Sequence, residues 1–183
     1  MFSCFQNMIN ILINSIAIIV LGIIQVSFLT TWQFPVNSLN LILSLVIFLT
    51  VLVNYQRGLW WALGGGLFLE LYSGYFFGLT TLSLLLTVIG INFLSNNFFT
   101  NRSFYSLVIL GIIGTLGYSL TVLSFNFLVL IFGFTILHPG FNFWSQFIWQ
   151  PVLNLIILVI IFFTYNVSTS RLKSIFLFHS LSK

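Results

Sequence analysis

Acidic residues are almost missing from this chain: among 183 residues there is one, Glu70, against five Lys or Arg and two His. Charged residues make up 3% and hydrophobic residues 60%. Soluble globular domains carry about 25% charged residues, so the sequence is not one of these, and lipid is the solvent for most of it. The single cysteine, Cys4, excludes an intramolecular disulfide and a cysteine-based metal site. The few cations are spread along the whole chain and form no clustered basic face of the kind that binds nucleic acid. One acid and two histidines do not make a nucleophile, base and orienter, and neither metal-ligand spacing nor a P-loop or dinucleotide fingerprint is present. The expectation is a protein that is not an enzyme and holds no cofactor.

What is present is apolar sequence in runs of spanning length. The chain reads as one integral membrane domain, residues 1–183, all-α and polytopic, with six transmembrane helices. They are expected at about 8–29, 38–54, 59–72, 77–95, 104–126 or longer, and 148–166, followed by a basic tail at 167–183. Helix 1 has no cation before it and no small-residue cleavage site after it, so it is expected to remain as a span. Helix 3 is short, because its fourteen or so residues reach only about 21 Å against a hydrocarbon core of about 30 Å. It must pack on other helices, thin the membrane, or use Trp60, Trp61 and Tyr72 as headgroup anchors. Pro151 is expected in the first turn of helix 6. For the tail, a short amphipathic helix on an anionic leaflet and a flexible basic segment stand side by side.

Six helices put both ends of the chain on one side of the membrane. Arg57, Arg102, Arg171, Lys173 and Lys183 then share that side, and the opposite turns carry no Lys or Arg. By the positive-inside rule the cation side is cytoplasmic, so both termini are cytoplasmic. The sequons at Asn101 and Asn166 fall on that side and are read as chance.

Small residues mark the helix faces expected to meet neighbours. Gly64, Gly65 and Gly66 allow another backbone to approach helix 3, and Gly74 and Gly78 punctuate the turn after it. On helix 5, Gly111, Gly114 and Gly117 fall within an arc of about 120° and suggest one smooth stripe. Glu70 lies toward the outer end of helix 3, across the membrane from every cation of the chain. An acid in apolar surroundings is a functional-site candidate by default. Three states are open to it: protonated, solvated at the interface, or paired with His138 of the outer loop, a polar helix group or a basic residue of another protein.

The segment Gly66-Leu67-Phe68-Leu69-Glu70, then Leu71-Tyr72-Ser73-Gly74, then Gly78-Leu79 resembles the G-L-x-x-D…G-L signature of the MreD family of bacterial rod shape-determining membrane proteins. Glu70 stands where that family usually has Asp. The resemblance implies a non-catalytic subunit of the cell-elongation machinery in the bacterial cytoplasmic (inner) membrane. Such a subunit binds an MreC-like protein and, through it, the MreB filament and the peptidoglycan synthases. It also implies a bundle similar to the S-components of energy-coupling-factor transporters, which supply the rival reading: a vitamin- or metal-binding subunit. Helix 1, with Ser15, Ala17 and Gly22, lacks the alanine-x3-alanine docking pattern of such subunits.

Overall fold

The structure, a computed structural model, describes residues 2–29, 31–72, 77–98, 104–131 and 142–181. Helix α1 (Phe2–Ile24) ends in a wider π-helical turn, Gln25–Leu29. A 3-10 turn, Val36–Ser38, leads into α2 (Leu41–Phe48), which runs on as a π-helical segment, Leu49–Val53. Then come α3 (Tyr55–Tyr72), α4 (Leu79–Phe98), α5 (Phe104–Ile131) and α6 (Asn142–Leu181). Among the described residues all regular structure is helical. Four stretches, Leu12–Leu29, Leu79–Phe98, Phe104–Val129 and Ser145–Val167, are long and apolar enough to cross a membrane. The chain is an all-α membrane protein.

Two of the six expected spans fall short of that measure for different reasons. Leu41–Val53, α2 with its extension, is apolar but only about 20 Å long. Helix α3 has 18 residues, but its first turn is Tyr55-Gln56-Arg57-Gly58 and its last contains Glu70.

Several expected boundaries move. The polar break before α3 shrinks to one residue: Asn54 is extended (φ −164°, ψ 139°), its carbonyl accepts from Gly58 N–H at 3.1 Å and its side chain from Gln56 N–H at 3.3 Å. An Asn in that conformation caps the next helix directly, so Tyr55 to Gly58 are helical. Helix α5 continues past Asn126 to Ile131 without interruption. Helix α6 starts at Asn142, which leaves Pro151 well inside it and not in the first turn. The same helix runs on to Leu181, so the expected tail is a continuation of α6 and neither a separate surface helix nor a flexible segment.

The centre of the bundle is α2. Ile42, Leu43, Ser44, Val46, Ile47 and Phe48 are all buried, and the helix touches α3, α4, α5 and α6. A helix that is apolar all round must be covered all round, and here protein covers it instead of lipid. The outer helices show the reverse pattern. Ile13, Ile16, Val20 and Ile23 of α1, Phe93 of α4, Phe127 of α5 and Phe163 of α6 are exposed, as expected of surfaces whose solvent is hydrocarbon. Helix α1 is the most peripheral of these, packed mainly on α3.

Burying the start of α2 leaves its first N–H groups without water, so other polar atoms must accept from them. Its own Asn40 side chain accepts from Leu43 N–H at 3.0 Å. From α1, Gln25 accepts from Ile42 N–H at 3.2 Å while donating to the Leu39 carbonyl at 3.4 Å. From α6, the fully buried Asn154 accepts from Asn40 N–H at 2.9 Å. Two amides on separate helices therefore fasten the central helix at one end.

Candidate functional site: the α3–α4 junction

Helix geometry explains why three consecutive glycines sit on α3. Neighbouring residues are about 100° apart around a helix, so Gly64, Gly65 and Gly66 open three different sides of it. A Cβ on Gly64 would lie 3.0 Å from Ile18 of α1, one on Gly65 would lie 2.6 Å from Ile42 of α2, and one on Gly66 would lie 2.7 Å from the Cα of Thr81 on α4. At the last of these, backbone meets backbone. The approach at Gly66 brings the start of α4 within reach of the carboxylate one turn further along α3.

Gly78 opens α4. Its φ of +98° lies in the left-handed region that glycine adopts without strain, and its carbonyl accepts the first helical bond, from Leu82 N–H at 2.9 Å. A glycine in this place has no side chain with which to cap the helix, so the N–H of Thr81 in the first turn needs an acceptor from elsewhere. Glu70 supplies it: its Oε1 accepts from Thr81 N–H at 2.8 Å, and the residue is 5% exposed. A carboxylate at a helix N-terminus also meets the positive end of the helix dipole.

Of the three states open to Glu70, solvation at the interface does not fit: the residue is buried, and its Oε1 accepts from the backbone of the neighbouring helix. His138 and Gly74, also expected to contribute here, lie outside the described residues. On α5 the expected single stripe divides. Gly111 faces Leu158 of α6 (Cβ distance 2.7 Å), Gly114 faces Ile91 of α4 (2.6 Å) and Ile47 of α2 (3.2 Å), and Gly117 has nothing within 4 Å among the described residues. Gly117 is thus not a close-packing position among the described residues.

Sequence reasoning missed five contributors. Gly58, taken as part of a polar break, lies against Thr50, and Gly22 lies against the ring of Phe68. Gln25 and Asn154 were each legible as a lone amide inside an apolar run, IIQVSF and VLNLII, a pattern that asks for a hydrogen-bond partner. Thr81 had no signal, because it is the backbone N–H that does the work.

Among the described residues no group of three His, Cys, Asp or Glu converges on one point. The chemistry available at the junction is hydrogen bonding and close backbone contact, which fasten helices together. No family model, no curated protein and no solved structure matches this chain. Fold and site together define a class: a small all-α membrane protein in which Gln25, Asn154 and Glu70 bond one helix to the start of another.

Proposed function

We propose that this chain is a non-catalytic subunit of the bacterial cell-elongation machinery, an MreD-like protein of the cytoplasmic membrane that binds an MreC-like partner. Through that partner it meets the MreB filament and the peptidoglycan synthases. One observation carries the reading. Of the residues that carry the MreD resemblance, Gly66, Glu70 and Gly78 meet at one junction with Leu79 buried beside it, while Leu67 is exposed and Gly74 lies outside the described residues. That these members of the signature act together in space supports the reading.

In this reading α2 and α3 also cross the membrane as a pair, giving six spans with both ends cytoplasmic. Cysteines placed at Asn101 and Asn142, in a chain whose Cys4 is replaced by Ser, should be labelled from the cytoplasmic and external sides respectively. Labelling of both from one side would remove the six-span topology.

The functional test is co-purification in mild detergent with an MreC-like protein from the same cell. Wild-type chain is expected to hold it as a stable complex. Failure to do so, together with capture of an ATPase and its membrane coupling subunit, would replace the proposal with the transporter reading.

A further inference from the structure

Helices α1 and α3 lie side by side and run in the same direction, because Ile18 meets Gly64 and Gly22 meets Phe68. Between them is an open apolar groove of about 250 Å³, walled by Ser15, Ile18 and Ile19 of α1 and by Gly64, Phe68 and Leu71 of α3. Gly64 lines the groove, and a Cβ there would project to 3.0 Å from Ile18 and narrow it. Seven residues before Gly64 on the same helix is Arg57, exposed, and at about 100° per residue Arg57, Gly64, Phe68 and Leu71 fall within an arc of about 60°. The cation therefore stands at the foot of the groove.

Charge says what covers this face. The chain's one acidic side chain, Glu70, is thirteen residues further along α3, about 20 Å away, and bonded to the start of α4. No acidic side chain of this protein reaches Arg57, which leaves the exposed guanidinium accessible to an anion from outside the chain. A guanidinium prefers a phosphate, which it can grip with two parallel N–H donors. Distance then fits one molecule. Arg57 is about 10 Å from Gly64 and about 16 Å from Phe68 along the axis, and one leaflet of hydrocarbon is about 15 Å deep. A phosphate on Arg57 lays an acyl chain of the same leaflet along the groove floor. Trp60, exposed one turn above Arg57, takes the interfacial level between headgroup and chain.

We propose that the α1–α3 groove with Arg57 at its foot is a binding site for one anionic phospholipid, its phosphate on the guanidinium and an acyl chain against Gly64 and Phe68. This rests on the six-span topology proposed above, in which α3 crosses the membrane, and not on the MreC-like partner.

Native mass spectrometry of the detergent-purified full chain, with dioleoyl phosphatidylglycerol or dioleoyl phosphatidylcholine added in equal amounts, tests it. Wild type should retain one phosphatidylglycerol with a preference of about fivefold, the size expected for one basic residue at an anionic headgroup. Arg57→Gln should abolish the preference, and Arg57→Lys should keep part of it. The double change Arg171→Gln, Lys173→Gln should leave it intact. Ser15→Phe, which fills the groove, should release the retained lipid without changing helix content by circular dichroism. A preference that survives Arg57→Gln, or that is lost with the Arg171 and Lys173 pair instead, overturns the site. So does a Ser15→Phe protein that keeps its lipid but loses a protein partner, because the groove would then belong to a partner helix.

Discussion

Gly66→Ala is expected to destabilise the purified protein by about 1–3 kcal/mol, the usual range for forcing extra atoms into a packed site. The methyl group would lie 2.7 Å from the Cα and 2.9 Å from the hydroxyl oxygen of Thr81, and backbone cannot swing aside as the end of a side chain can. Helices α3 and α4 must separate, and the separation also lengthens the hydrogen bond from Thr81 N–H to Glu70. Gly117→Ala provides the contrast. No described residue lies within 4 Å of its Cβ position, so the change should be neutral or stabilising by up to about 1 kcal/mol through the better helix propensity of alanine. Size-exclusion chromatography after heating to graded temperatures reads both variants. Equal melting of the two would mean that the contact at Gly66 is not tight.

Glu70→Ala should have an effect of similar size for a different reason. It leaves the N–H of Thr81 buried without its acceptor, which costs about 1–3 kcal/mol, and removes a favourable charge from the helix N-terminus, typically a further 0.3–1 kcal/mol or so. Glu70→Gln retains an acceptor oxygen and should lose less than about 1 kcal/mol. The isolated protein is the right sample for this comparison. If Ala and Gln both melt like wild type alone but fail to hold the MreC-like partner, the carboxylate acts in the complex and the capping role is wrong. If Ala melts early and Gln nearly normally, Glu70 is a fastener inside the chain, and any loss of partner follows from the loosened junction.

The comparison of sequence with structure is instructive at Glu70. A single acid in apolar sequence is visible without coordinates, and so is its need for a partner. The partner was not legible, because it is a backbone N–H, which every non-proline residue carries, and only the close approach at Gly66 selects that of Thr81. The glycine cluster at 64–66 likewise announced close contacts but not their three directions, which depend on where α1, α2 and α4 stand. Helix α2 shows a deeper limit. In a membrane, an apolar residue facing lipid and one facing protein look the same in sequence, so nothing in LILSLVIF marks it as the centre of the bundle. By contrast, the all-α membrane class is legible in the continuous apolar runs of spanning length, because such a run satisfies its own backbone in hydrocarbon as a helix, whereas barrel strands alternate apolar and polar residues.

The fastening of α2 has a consequence for how the chain is made. Asn154 is 114 positions beyond Asn40, whose N–H it accepts. When α2 leaves the ribosome, α1 and its Gln25 are already in place, but α6 does not yet exist. The nascent central helix must wait with one end incompletely satisfied, shielded by whatever the insertion machinery provides, until α6 arrives to close over it. Chains interrupted before Asn154 would lack the acceptor for the N–H of Asn40 and leave that end of α2 uncovered by α6.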